Sequence, residues 1–199
     1  MRFMERDMLI LSFFTRFDFL LGRHVQRLFF SGARACDRRL KLLCENEYLK
    51  RQKILYGTPS LYSLTHKGRR KVDTSVRENK IRIDQIHHDI AVVDTMLNMM
   101  DKFNLSLSDI LTEKQLHSKD GFSSRKHCPD FVFKKDGKTY CVEVELSLKA
   151  KKRFLQILKN NYDTYDFQLF FVENGNTKLL AILENNMLIF PNMEVHFFE

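Results

Sequence analysis

The sequence predicts an α+β protein of two domains, a basic helix-rich domain followed by a layered α/β domain. Positive charge is concentrated in residues 1–80, which hold 18 Lys and Arg against 8 Asp and Glu, whereas residues 81–199 hold 15 against 17. The apolar pattern also changes along the chain, from short helical repeats to helices that alternate with strands. Because the polar segment 72–80 separates the two patterns, we place the domains at 1–75 and 76–199.

Three short helical patterns open the chain, and the third carries a basic face. The segments ERDMLILSFFTRF and LLGRHVQRLFF come first, and the third helix is expected to start at Ser31, whose hydroxyl can act as an N-cap. On this third helix the apolar spacing predicts an inward face made of Ala35, Leu40, Leu43 and Cys44. The basic side chains left on the outside are Arg34, Arg38, Arg39 and Lys41.

A basic hairpin follows the three helices. The segment LKRQKILYGTPSLYSLTHKG is typical of two strands around a turn at 57–60. Three helices and a hairpin are the order of a winged helix-turn-helix, whose third helix enters the major groove of DNA. We therefore predict contacts with duplex DNA from Arg34, Arg38, Arg39, Lys41, Arg51 and Lys53, with Lys50 and Lys67 nearby. The alternative is a small helical domain with a solvated basic face.

The second domain is predicted to start with a long amphipathic helix, IRIDQIHHDIAVVDTMLNMMDKF. His87 and His88 are adjacent on it and point about 100° apart, so they do not favour ligation of one metal ion. The segment LSDILTEKQLHS is ambiguous between strand and helix. PDFVFKK and KTYCVEVEL are strands joined by an Asp136-Gly137 turn, and a helix, the buried strand FQLFFVE, a second helix and one or two last strands follow.

Two glutamates interrupt the strand KTYCVEVEL. Glu143 and Glu145 share one face of it, about 7 Å apart, while Val142 and Val144 share the other. Asp130, at the start of the preceding strand, is expected to approach one of the glutamates. Such a group of carboxylates suits Mg²⁺ or Mn²⁺, which could polarise a phosphate and activate water.

Two other interpretations of these acids remain open. The glutamates can form ion pairs with Lys149, Lys151 or Arg153 and hold no metal, although surface ion pairs contribute only about 0–1 kcal/mol each. Alternatively, phosphoryl transfer could use a covalent tyrosine, Tyr162 or Tyr165.

The stretch from Pro129 to the buried strand resembles the PD-(D/E)xK nuclease fold, in which a PD pair, a short hairpin, a second acid, a helix and a strand follow in this order. The resemblance implies that Asp130 and Glu143 bind the metal. Glu145 occupies the position of the motif lysine, and Lys149 is the nearest replacement for it. On this basis the catalytic residues are Asp130, Glu143, Glu145 and Lys149, with Glu113 as an upstream acid.

Several segments together resemble the replication-relaxation family of plasmid and mobile-element proteins, which includes MobC-type mobilisation proteins. They are RDMLIL, RRLKLL, YSLTHKG, HHDIAV and PDFVF…EVELSLKAKKR, and they span roughly residues 5 to 173. The segment EVELSLK is similar to one that is common in this family. The resemblance implies a role in plasmid replication or conjugative mobilisation, where some members nick one DNA strand.

Two functions follow from the sequence. One is a DNA-binding protein that nicks or cleaves DNA with Mg²⁺ or Mn²⁺, and the other is a catalytically inactive regulator or accessory protein of a relaxosome. A homodimer, or other mobilisation or replication proteins, are further expected partners. Four cysteines without a CxxC pair predict no zinc site, and charged residues interrupt the apolar N-terminus, so we expect a cytoplasmic protein without a membrane span.

Overall fold

The structure, a computed structural model, describes residues 2–54, 56–72, 81–120 and 127–198. It is a mixed α+β protein, as predicted, and it divides into two compact units, Met1–Val93 and Asp94–Glu199. The predicted boundary between 75 and 76 lies outside the described residues. The first turns of the long helix belong to the first unit because Ile86 is buried with Phe19, Leu21 and Leu61.

The first unit combines helices with a three-stranded antiparallel sheet. Its elements in chain order are α1 Glu5–Phe14, β1 Leu20–Leu21, α2 Gly22–Phe29, α3 Ala33–Glu45, β2 Leu49–Gln52, β3 Leu61–Leu64 and α4 His66–Lys71. The strand order is β1-β3-β2, with Leu20 and Arg51 both opposite Tyr62 on the central strand. The buried residues Cys36, Leu40 and Leu43 turn one face of α3 into the core.

Three local predictions for this unit are wrong in detail. Helix α3 is preceded by Gly32 as its extended N-cap residue rather than by Ser31, and Ala35 is exposed while Cys36 is buried. Both hairpin strands are shorter than predicted. The segment after β3 forms α4, because the Thr65 hydroxyl accepts a hydrogen bond from the Gly68 N–H and caps a new helix.

Gly68 lies where two backbone segments approach closely. A Cβ atom at this position would lie 2.1 Å from the carbonyl oxygen of Tyr48. We expect Gly68→Ala to lower the free energy of unfolding by about 1–3 kcal/mol, because one of the two segments must move. Gly22→Ala is the control, since its Cβ would meet Leu40 and Tyr62 at 3.7 and 3.8 Å. Urea unfolding should show Gly22→Ala unchanged or slightly stabilised; equal stability of the two variants would contradict the close approach.

The second unit is a five-stranded mixed sheet with helices. Its elements, beginning with the helix that enters from the first unit, are α5 Ile86–Phe103, β4 Ile110–Thr112, α6 Glu113–Asp120, β5 Phe131–Lys135, β6 Lys138–Glu145, α7 Lys151–Thr164, β7 Phe167–Val172, α8 Thr177–Asn186 and β8 Met193–Phe197. Short 3₁₀ turns lie at Ile83–Gln85, in the first unit directly before α5, and at Leu107–Asp109. The ambiguous segment LSDILTEKQLHS therefore contains both a strand and a helix.

The strands of the second unit are joined first by a tight turn and then by helices, and these connections match the directions of the strands. The strand order is β4-β5-β6-β7-β8, antiparallel from β4 to β6 and parallel from β6 to β8. The predicted Asp136-Gly137 turn is confirmed, with φ values of 50° and 73°, as a tight hairpin turn requires. Helices α7 and α8 supply the crossovers that parallel strands need.

The core beside β7 is formed by α7, α8 and β8. Phe154 and Leu158 of α7 are fully buried against Phe170 of β7 and Leu183 of α8. This packing fixes α7 over one face of the sheet. In the part of the chain that the structure describes, no helix combines the length and the apolar character needed to cross a membrane.

Candidate acidic site of the second unit

Strand β6 carries both glutamates in the interior of the second unit. It lies between β5 and β7, and its residues from Cys141 to Glu145 are all buried. Glu143 pairs with Phe170 in the parallel register, so the two side chains point to the same face, and the Phe170 ring packs edge-on against Phe154 of α7. The glutamates therefore lie on the face that α7 covers.

Glu143 is held by two neighbours that sequence reasoning missed. Its side chain is only 1% exposed. Its Oε1 atom lies 2.6 Å from His127 Nε2 and accepts a hydrogen bond of 2.8 Å from the Asn161 amide. His127 comes from the segment before β5, and Asn161 comes from α7. A buried carboxylate requires such partners, because an unpaired charge in the interior is costly.

Asp130 lies directly before β5, the strand next to β6. The β5–β6 register pairs Phe131 with Val142, and one further step along it places Asp130 opposite Glu143. Asp130 Oδ2 accepts a hydrogen bond of 2.7 Å from the Val144 N–H, and its carbonyl oxygen accepts one of 2.8 Å from the Glu113 N–H. Asp130 and Glu143 are therefore opposite each other in the hairpin register. The hydrogen bond from Glu113 also connects the first residue of α6 to Asp130.

Lys149 lies against Glu145, in the turn before α7 rather than on the helix. Its Nζ atom is 2.5 Å from Glu145 Oε1, and the two side chains are 28% and 3% exposed. Burial alone would lower the pKa of Lys149, but the charge and hydrogen bond of Glu145, with the charges of Glu143 and Asp130, outweigh it and raise that pKa. The ammonium group therefore contacts Glu145, and the charges of Glu143 and Asp130 favour its protonated form.

Asp130 and Glu143 are the side chains of this site that could hold a metal ion. They offer two hard oxygen ligands, and both hydrogen-bond partners of Glu143 use the same oxygen, Oε1. No group of three or more His, Cys, Asp or Glu side chains is arranged for a metal ion within the described residues. Mg²⁺ is commonly bound by one or two carboxylates together with water and phosphate oxygens, so this pair fits Mg²⁺ or Mn²⁺ of that kind.

Glu113 and the two tyrosines have other neighbours. The carboxylate of Glu113 lies 3.5 Å from His117 Nε2, one turn later on α6. The Tyr162 ring packs edge-on against Phe190 at 5.5 Å, and the Tyr165 N–H donates to the carbonyl oxygen of Asn161 at the end of α7.

The predicted DNA-contacting residues of α3 do not all lie on its exposed face. Arg34, Arg38 and Lys41 are exposed, as predicted. Arg39 instead forms a buried ion pair with both carboxylate oxygens of Asp7 and donates to the carbonyl oxygen of Arg2 at 3.0 Å. Its guanidinium group is therefore part of the packing between α1 and α3, which corrects the predicted DNA contact.

Further basic residues surround a concave surface between β2 and α4. Arg51 and Lys53 are exposed. A cavity of about 680 Å³ is lined by the basic side chains Lys50, Arg51, His66, Lys67 and Arg70. Glu47 also lines it and lies 4.0 Å from Lys67. The excess of positive charge at this cavity favours an anionic ligand.

The contact between His127 and Glu143 predicts a pH-dependent stability. Burial alone would lower the pKa of His127, but the hydrogen bond and charge of Glu143 outweigh it and raise the pKa above 6.5. A histidine whose pKa is higher in the folded than in the unfolded protein stabilises the fold. The stabilisation is complete at a pH below the pKa of the unfolded state, and it is lost as the pH rises through the pKa of the folded state. We therefore expect His127→Gln to lower the melting temperature more at about pH 5.5 than at about pH 8.5.

His117→Gln is the matched control for this pH series. Its partner Glu113 is 55% exposed, so loss of that pair should change stability little at either pH. A pH-independent loss of stability in His127→Gln would contradict the charged pair.

No protein-family model matches the chain, and no curated protein matches it.

Proposed function

We propose that this chain is a DNA-binding protein of a plasmid or mobile element, with a second unit that nicks or cleaves DNA using a divalent cation. The observation that carries the cleavage proposal is the position of Lys149, whose ammonium group lies 2.5 Å from Glu145 on the strand that also carries Glu143. The sequence resemblance to the replication-relaxation family supports the assignment to a mobile element.

The order of elements in the first unit supports DNA binding. Helices α1 to α3 are followed by the hairpin of β2 and β3, and β1 completes a sheet of order β1-β3-β2. This order supports the proposal of a winged helix-turn-helix, in which three helices precede a hairpin wing. Arg34, Arg38 and Lys41 of α3 would contact the major groove or its phosphates. The basic cavity beside β2 would hold a phosphate of the same duplex.

Replacement of two exposed arginines should weaken DNA binding. We expect Arg34→Ala/Arg38→Ala to reduce the affinity for duplex DNA by about tenfold or more and to lower the salt dependence of log K by about one for each phosphate that the protein no longer neutralises. The control is Lys159→Ala/Lys178→Ala, which removes the same charge from exposed positions of the second unit. If gel-shift titrations at fixed salt give both double variants the same affinity, α3 is not the recognition helix.

The second unit supports cleavage through its topology and its acids. An antiparallel hairpin, a crossover helix and a parallel strand follow one another, and Asp130 and Glu143 are opposite each other in the hairpin register. This order supports the proposed likeness to the PD-(D/E)xK fold. A bound Mg²⁺ or Mn²⁺ would polarise the scissile phosphate and lower the pKa of a bound water molecule. Lys149 would stabilise the negative charge that develops on the phosphate. Glu145 holds Lys149 in place for this role.

A second candidate function is that of a catalytically inactive DNA-binding regulator or accessory protein. The observation that favours it is that partners already surround the glutamates: Glu145 pairs with Lys149, and Glu143 with His127 and Asn161. In that case the acids only stabilise the fold. Calorimetry separates the two functions, because a tight Mn²⁺ site that Glu143→Gln removes would contradict an inactive unit.

A further inference from the structure

A second concave site lies beside the acidic residues, in the second unit. It is a cavity of about 730 Å³ between the first turns of α7, helix α6 and the segment before β5. This volume is within the range of small-ligand sites and is large enough for one nucleotide. His127 lines the cavity and contacts Glu143, so the cavity adjoins the acidic site directly.

Helix α7 supplies the polar wall of this cavity. Lys152 and Arg153 lie on its first turn and are exposed, and Gln156 and Asn160 follow on the same side. The Gln156 amide nitrogen donates to Asn160 Oδ1 at 2.8 Å. This bond orients both side-chain amides. It does not use the side-chain oxygen of Gln156, Oε1, or the side-chain nitrogen of Asn160, Nδ2. Two cations beside an acceptor and a donor match a phosphate and the polar edge of a base.

Helix α6 and the segment before β5 contribute two imidazole rings to the lining, those of His117 and His127. His117 is fixed at both nitrogens, with Nδ1 at 3.6 Å from Cys128 Sγ and Nε2 at 3.5 Å from Glu113. Glu113 also lines the cavity, where its carboxylate can accept from a ring N–H such as N3–H of thymine. Ile157 is an apolar part of the lining. Flat rings held in place are suited to stacking against a base.

We propose that this cavity binds one nucleotide of a single-stranded DNA, with its phosphate at Lys152 and Arg153 and its base against the imidazole rings. This inference rests on the proposed function and specifies its substrate as a strand that is unpaired at the acidic site. A base within a duplex cannot enter such a cavity unless it leaves the stack. The cavity thereby places the adjoining phosphodiester near Asp130 and Glu143.

The test uses the full chain carrying Arg34→Ala and Arg38→Ala, so that the first unit contributes little to binding. A fluorescein-labelled oligothymidylate of about ten nucleotides is titrated by anisotropy. Lys152→Ala/Arg153→Ala should weaken binding about tenfold or more. The control Lys151→Ala/Lys159→Ala removes the same charge from exposed positions of α7 outside the cavity and should change binding less than about twofold.

Base recognition is tested separately from charge. Gln156→Ala/Asn160→Ala should weaken oligothymidylate binding about fivefold and leave heparin binding unchanged. The proposal is overturned if Lys152→Ala/Arg153→Ala and its control Lys151→Ala/Lys159→Ala lose the same affinity. It is also overturned if Gln156→Ala/Asn160→Ala loses none. Thymidine monophosphate binding as tightly as the oligomer would also overturn it, in favour of a free nucleotide. Duplex binding by the chain with Arg34 and Arg38 intact tests the DNA-binding part of the proposed function independently.

Discussion

Arg39→Ala is expected to lower the free energy of unfolding by about 3–5 kcal/mol, because it leaves a buried carboxylate without its countercharge. Asp7 is fully buried and both of its oxygens contact the Arg39 guanidinium. Asp7 also caps α1, since its Oδ2 accepts a hydrogen bond of 2.7 Å from the Met4 N–H. Loss of Arg39 therefore weakens both the α1–α3 contact and the start of α1.

Arg38→Ala is the matched control, because it removes the same side chain from the adjacent, exposed position of α3. Urea unfolding should leave this variant within about 0.5 kcal/mol of the natural chain, while its affinity for duplex DNA falls. Equal stability of the two variants would remove the structural role of Arg39.

Lys149→Met is expected to reduce DNA cleavage by about a hundredfold or more, since it removes the cation that would stabilise charge on the phosphate. It should also destabilise the fold, because the buried Glu145 would lose its ion pair with Lys149. The double variant Glu145→Gln/Lys149→Met separates the two effects. It should recover much of the stability and none of the cleavage.

Cleavage rates and melting temperatures should both be measured for this pair of variants. A double variant that recovers cleavage together with stability would show that Lys149 acts only through the fold.

Local sequence signals were enough to predict the β5–β6 hairpin and the position of Asp130. The Asp136-Gly137 turn fixes the register, and alternation along β6 places Glu143 and Glu145 on one face. These features depend on residues close together in the chain. Periodicity likewise predicts the longer helices and strands of both units, but it does not predict β1 or α4 and leaves the segment of β4 and α6 ambiguous.

Other parts of the site depend on tertiary packing and could not be predicted in that way. His127 and Asn161 meet at Glu143 although they come from a loop and a helix on either side of β6. Nothing in the local pattern distinguishes them from solvated polar residues. A buried carboxylate needs hydrogen-bond donors, so the burial of Glu143 predicts that donors exist. It does not predict which residues they are.

The role of Arg39 could have been found from helical spacing. Cys36, Leu40 and Leu43 form the buried stripe of α3, and Arg39 occupies the i+3 position from Cys36. A basic residue on a buried stripe requires an acidic partner, and Asp7 was the candidate in α1. Arg38, one residue earlier, lies about 100° away around the helix and stays exposed.

The central proposal is tested most directly by a nicking assay. The natural chain is incubated with a supercoiled plasmid that carries the origin region of the element encoding the protein. With Mg²⁺ or Mn²⁺ we expect conversion to open circles, and none with EDTA or with the Asp130→Asn/Glu143→Gln variant. DNA binding by that variant, measured in parallel, confirms that its first unit is intact. A metal-dependent site at Asp130 and Glu143 would be contradicted if the natural chain binds the plasmid but leaves it supercoiled. It would also be contradicted if the variant nicks the plasmid as much as the natural chain does.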